Sequence, residues 1–118
     1  IVMVATIGSD GVPQVTPNWF YYDGNRLAIS TTKDRVKYRN LSRDPRMTVC
    51  IAEEPMARDY VSISGPVSIS DDDSIWPPTR SIIGRYLPTD RVDQMIEKMK
   101  SEGRVILWLT PEKVVFRS

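Results

Sequence analysis

Two turn signals cut the start of this chain into three strand-length runs, and their spacing points to an antiparallel sheet. Ser9-Asp10-Gly11-Val12-Pro13 separates residues 1–7 from residues 14–22, and Tyr22-Asp23-Gly24-Asn25 separates that second run from residues 26–31. Links this short join antiparallel neighbours, because a parallel crossover needs a dozen residues or more. The three runs therefore read as a meander. The first is apolar on both faces apart from Thr6, the pattern of a strand covered on both sides. Pro17 interrupts the ladder of the second and places it at an edge or a bulge.

The remaining runs continue the pattern. Residues 47–52, 60–70, 104–109 and 113–117 read as strands. A helix is predicted from Asp34 to the Asp44-Pro45 stop, with Asp34 as its N-cap. Pro77-Pro78 marks a second helix start, with Ile82, Ile83, Tyr86 and Leu87 as the apolar side. Residues 89–102 form the best helix, since Val92, Met95, Ile96 and Met99 recur at helical spacing and Gly103 follows as a cap. Those methionines read as core. The order is three strands, helix, two strands, two helices, two strands. It predicts one mainly β (α+β) domain over residues 1–118, a small antiparallel barrel with peripheral helices.

Composition narrows the function. A chain of 118 residues, 41% hydrophobic and 26% charged, has the make-up of a soluble globular domain. Its net charge of +1 is too small for a general nucleic-acid binder, and no apolar run has the length of a membrane span. The single cysteine, Cys50, sits in the apolar run 47–52 and reads as a small buried hydrophobe in a cytoplasmic protein. There is no histidine, which removes Ser-His and Cys-His nucleophilic chemistry and histidine-based metal sites. No residue is assigned a catalytic role and no metal is expected; an organic cofactor carries the chemistry. The chain opens at Ile1 inside a strand-like run, so a native N-terminal segment is expected to be missing.

One segment stands out chemically. Lys33, Arg35, Lys37, Arg39, Arg43 and Arg46 crowd the stretch that follows the hydroxyl-rich Ser30-Thr31-Thr32. Hydroxyls, a helix N-terminus and clustered cations are what a phosphate needs. At 3.6 residues per turn Val36, Lys37, Asn40 and Leu41 share one arc, with Arg35, Tyr38 and Arg39 on the other. A lysine on a packing face needs a partner, either an anionic ligand or a neighbouring carboxylate.

Several motifs resemble one family. They are Val4-Ala5-Thr6-Ile7 with Asp10-Gly11-Val12-Pro13-Gln14, then Pro17-Asn18-Trp19-Phe20, residues 27–32, and the stretch Arg-x-Lys-x-x-Asn-Leu-x-x-Asp-Pro from Arg35 to Pro45. Ile63-Ser64-Gly65-Pro66-Val67 and Arg104-Val105-Ile106 also fit. The chain resembles, over nearly its whole length, the flavin- and deazaflavin-binding split β-barrel proteins related to pyridoxamine 5′-phosphate oxidase. Within them it is most similar to the actinobacterial-type group that uses coenzyme F420. The resemblance implies an FMN-binding-like split barrel and a homodimer with a cofactor site at each interface. It also implies phosphate contacts at Ser30, Thr31, Arg35 and Lys37, with Asn40 in support. The segment beside the ring system carries over to Pro17, Asn18 and Trp19.

The resemblance has a boundary. Pyridoxamine phosphate oxidases carry an Arg-x-Val-Leu-Leu-Lys run on strand two and Trp and Arg residues near the C-terminus; this chain has Thr16-Pro17-Asn18-Trp19-Phe20-Tyr21 and lacks that tail. Oxidation of pyridoxamine phosphate is therefore not expected. The leading expectation is an oxidoreductase that moves a hydride between reduced F420 and a small organic substrate. The alternatives are an FMN-binding flavin oxidoreductase and a non-catalytic flavin- or tetrapyrrole-binding protein. Trp19, Tyr21, Trp76, Tyr86 and Trp108 read first as core or interface.

Overall fold

The computed structural model describes residues 1–117. Eight strands and three α-helices follow one another as β1 (Val2–Ile7), β2 (Pro13–Asn18), β3 (Tyr21–Tyr22), β4 (Leu27–Thr32), α1 (Val36–Arg43), β5 (Arg46–Ala52), β6 (Tyr60–Ser70), α2 (Trp76–Gly84), α3 (Thr89–Met99), β7 (Arg104–Leu109) and β8 (Lys113–Arg117). A short 3-10 turn, Asp73–Ile75, leads into α2. Every strand pairing is antiparallel.

The sheet runs β2-β1-β5-β6-β7-β4-β3, with β8 added beside β6. Its two edge strands, β2 and β3, are separated in sequence only by Trp19 and Phe20. The three steps from Asn18 to Tyr21 reach about 11 Å at most, so the sheet must curl until its edges approach. The result is a split antiparallel barrel, open along the β2/β3 seam. β6 serves both halves: residues 60–66 pair with β5 and residues 67–70 with β7.

The expected meander does not form. The run 14–22 breaks at Trp19-Phe20, and β4 pairs with β7 and β3 rather than with β2. Pro17 does lie on an edge strand, opposite Met3.

The barrel interior holds Val2, Val4, Leu27, Ile29, Met47, Val49, Val105, Leu107 and Leu109, and Leu41 of α1 joins this cluster. A strand's side chains alternate between faces. On β4, Leu27 and Ile29 therefore belong to the barrel core, while Ala28 packs outward with Ile106, Ile75 and Ile82. α2 covers that outer side through Ile82, and α3 packs on α2, with Val92, Ile96 and Met99 against Ile83.

Five local expectations need correction. β1 is covered on one face only, since Val2, Val4 and Thr6 are buried but Met3 is 43% exposed. α1 begins one residue later than expected: Arg35 holds the cap position, and the Asp34 carboxylate accepts a hydrogen bond from the Thr32 hydroxyl instead. Val36 is exposed, so Leu41, with Tyr38 packed against the barrel core, anchors the helix. α3 ends at Met99, and the chain turns through Ser101 and Glu102 to Gly103, whose φ of +71° is the left-handed conformation glycine tolerates. Cys50 faces away from the core and is half-buried, because its neighbour Val49 takes the inward position.

Candidate functional site

The basic segment around α1 resolves once each cation is followed to its partner. Lys33 pairs with Asp71 at 3.4 Å, and Arg46 forms a two-point bond with Asp44 at 2.8 and 2.9 Å. Arg39 donates to the Asp34 carbonyl at 3.0 Å. Arg43 donates to the Ile7 carbonyl at 2.7 Å and to Asn40 Oδ1 at 3.2 Å. Among the described residues no carboxylate lies within 4.0 Å of Arg35 or Lys37. The two cations left over are the two in the Arg-x-Lys motif.

Lys37 is in the first turn of α1 and is only 7% exposed. Burial pushes its ammonium below the usual lysine value, and the charges of Arg35 and Arg104 push it the same way. No acidic side chain stands in that first turn to offset the positive end of the helix. A buried cation beside two others, at a helix N-terminus and without a counter-ion, suits an anion.

Arg104, whose charge reaches Lys37, also lines a cavity of about 450 Å³, within the range of small-molecule sites. β2 and the bend after it give Pro17, Asn18 and Trp19; β4 gives Ser30; β7 gives Arg104. The opposite wall is apolar, with Ile82 and Ile83 from α2 and Met95 and Met99 from α3. Arg104 also pairs with Glu102 at 2.9 Å, and its guanidinium stands 3.5 Å from the Ser30 hydroxyl.

The structure thus brings Pro17, Asn18, Trp19 and Ser30 to one cavity; Arg35 and Lys37 are not among its lining residues, and Lys37 is linked to it only through the nearness of Arg104. Thr31 and Asn40 lie elsewhere. Thr31 is the next residue along β4 from Ser30, points to the other face and is buried. Asn40 spends both ends of its amide inside the protein, donating to Thr6 Oγ1 at 3.1 Å and accepting from Arg43. Arg104 is the residue that sequence reasoning left without a role. It touches the cavity and is near enough for its charge to act on Lys37. A cation heading an otherwise apolar strand was its signal; its placement opposite Thr32 comes only from the β4/β7 register.

Two further features bear on chemistry. Among the described residues no cluster of three or more Cys, Asp or Glu side chains is placed to hold a metal. No helix there is long and apolar enough to cross a membrane.

Comparison with known proteins bears on the fold and the family. Residues 1–118 match the family model described as pyridoxamine 5′-phosphate oxidase, and the chain belongs to that family. A conserved hypothetical protein from Mycobacterium tuberculosis is 26% identical, with a TM-score of 0.83, over 98% of this chain and 74% of its own. An F420 reductase is 27% identical, with a TM-score of 0.74, over 97% of this chain and 87% of its own. The heme storage protein HutZ from Vibrio cholerae shares the fold at 17% identity and a TM-score of 0.76, over 97% of this chain and 83% of its own.

Proposed function

We propose that this member of the pyridoxamine 5′-phosphate oxidase family is an oxidoreductase that uses coenzyme F420 to transfer a hydride to or from a small organic substrate. One observation carries the reading. Among the described residues Arg35 and Lys37 have no carboxylate partner, and Lys37 lies within reach of the charge of Arg104, which lines a cavity of about 450 Å³. F420 carries a phosphodiester and a polyanionic tail, which these cations would neutralise. The likeness to an F420 reductase supports the same choice.

The residues present fit such a group. Arg35, Lys37 and Arg104 supply charge, the Ser30 hydroxyl and the free N–H groups of the α1 N-terminus donate hydrogen bonds, and Pro17, Asn18 and Trp19 offer a wall for the ring system. When bound in its reduced form the cofactor supplies the hydride. The chain binds it, orients it and excludes water with Ile82, Ile83, Met95 and Met99.

A homodimer is part of the proposal. Pro17, Met3, Cys50, Ser62 and Val115 stand in register across the outer face of β2, β1, β5, β6 and β8. Met3 and Val115 are exposed there, and Val15 extends the same face. Pro17 belongs both to this face and to the cavity. A second copy seated on it would close over an apolar surface and bring the two sites to the interface.

Side-by-side titration of the apo-protein with F420 and FMN tests the cofactor. F420 should bind more tightly, with an affinity that weakens as salt rises. Equal or tighter FMN binding overturns the choice of cofactor, and binding of neither overturns the site.

A further inference from the structure

We infer that Arg85 and Tyr86 form a clamp that sets the position of Trp19, which makes Tyr86 a positioning residue for the cavity wall. Whether that wall then acts on a cofactor rests on the proposed function; the clamp itself does not.

Trp19 and Phe20 join the two edge strands of the barrel and belong to neither. A main chain outside the ladder still needs hydrogen-bond partners when it is partly buried. Phe20 finds both from one place. Its N–H donates to Tyr86 Oη at 3.3 Å, and its carbonyl accepts from Arg85 Nη1 at 2.6 Å. Arg85 Nη1 also lies 3.3 Å from Tyr86 Oη, so the two side chains support each other.

Ring contacts complete the grip. Tyr86 stacks on Trp19 with centroids 4.5 Å apart and planes 11° from parallel. The Arg85 guanidinium sits 4.1 Å over the Phe20 ring and 5.3 Å from that of Tyr86. The charge of Arg85 is thus spent on the clamp rather than on a ligand.

The clamp is fixed to the opposite wall. Arg85 N–H donates to the Ile82 carbonyl at 3.2 Å, and Tyr86 N–H to that of Ile83 at 2.9 Å. Ile82 and Ile83 line the cavity that Trp19 faces. The strand-side and helix-side walls are therefore held in register by one two-residue turn.

The test uses the full chain and three variants. Tyr86→Phe removes the hydroxyl and keeps the stack; Tyr86→Leu removes both; Trp19→Phe identifies the indole signal. In the ligand-free protein, exchange of the Phe20 amide should rise about tenfold in Tyr86→Phe while β1 and β5 amides keep their protection. The near-UV circular dichroism band lost in Trp19→Phe should survive in Tyr86→Phe and vanish in Tyr86→Leu. F420 affinity should fall about three- to tenfold in Tyr86→Leu and recover most of that in Tyr86→Phe. An unchanged Phe20 amide, or an indole band that persists in Tyr86→Leu, overturns the clamp even if F420 does not bind. Loss of the band with unaltered F420 affinity overturns the positioning role. Failure of the unmutated protein to bind F420 defeats the proposed function instead and leaves the first two measurements decisive.

Discussion

The side-chain amide of Asn40 donates to the Thr6 hydroxyl at 3.1 Å, and both residues are buried. This bond ties α1 to β1 at the end of the barrel. Arg43, held by the other end of the same amide, reaches the last carbonyl of β1 at Ile7. Asn40 thus fixes the helix that carries Lys37.

The first prediction follows directly. Asn40→Ala removes the bond to the Thr6 hydroxyl, which still donates to Gln14 Oε1 at 3.4 Å, and the acceptor of Arg43, and should cost about 0.5–1.5 kcal/mol of stability. Urea denaturation measures it. F420 affinity should fall less than it does on removing Lys37. A variant of full stability that loses most of its affinity would make Asn40 a direct contact.

The second prediction separates cations that look alike in sequence. A charge-assisted bond from buried Lys37 contributes on the order of 1.5–3 kcal/mol, about ten- to a hundredfold in affinity. Lys37→Ala should lose that much, and Arg104→Ala should weaken binding in the same direction. Arg39→Ala should have little effect, because Arg39 is exposed and bonded to the Asp34 carbonyl. Lys37→Met, which keeps the buried stem, distinguishes the roles: it should fold normally and still lose affinity. Calorimetric titration yielding equal affinities for the Lys37 and Arg39 variants would place the anion elsewhere.

Much of this was legible in the sequence. The hairpin β1-β2 and the helix α3 follow from turn residues and apolar spacing, both of which are local. The break at Trp19-Phe20 is not local. Its backbone partners, Arg85 and Tyr86, lie about 65 residues away, so the run 14–22 reads as one strand until tertiary contacts split it. Arg35 and Lys37 were visible as a motif. That neither meets a carboxylate among the described residues was not, because Lys33 and Arg43 find their partners, Asp71 and the Ile7 carbonyl, only through the fold, while Arg39 and Arg46 turn to the nearby Asp34 and Asp44. Arg104 was hidden for the same reason.

A third prediction concerns pH. Burial, Arg35 and Arg104 lower the Lys37 pKa in the folded chain. Between that value and the ordinary lysine value the unfolded chain holds a proton that the folded chain has lost. Stability should therefore rise with pH across this window. An anion on Lys37 raises its pKa again, so affinity should fall as pH climbs through the free-protein value, and binding inside the window should take up a proton. Titrations in buffers of different ionisation enthalpy measure that uptake. If Lys37→Met shows the same uptake as the unmutated chain, another group is responsible.

The fourth prediction addresses assembly. Met3→Glu places a carboxylate in the middle of the apolar face that the proposal buries between two copies. Sedimentation at micromolar concentration should give twice the monomer mass for the unmutated chain and the monomer mass for the variant. A monomer in both cases removes the interface, and with it the shared site.

The last prediction contrasts two glycines. Gly65 sits on β6 under the link between β7 and β8. The link is pinned there by Thr110 N–H to the Pro66 carbonyl at 3.0 Å and Glu112 N–H to the Ser64 carbonyl at 2.9 Å. A methyl group at Gly65 would overlap the Thr110 carbonyl and come within 3.2 Å of Glu112 N. Both are backbone atoms, so relief requires moving the link and its two hydrogen bonds. Gly65→Ala should cost about 3 kcal/mol. Gly84, the last residue of α2, has nothing within 4 Å of a Cβ position and no left-handed φ. There alanine only narrows the unfolded ensemble and should stabilise by about 0.4–1 kcal/mol. Urea midpoints for the two variants should move in opposite directions. A Gly65→Ala midpoint at or above that of the unmutated chain would mean the link is free to move, contrary to the packing that holds β8 on the barrel.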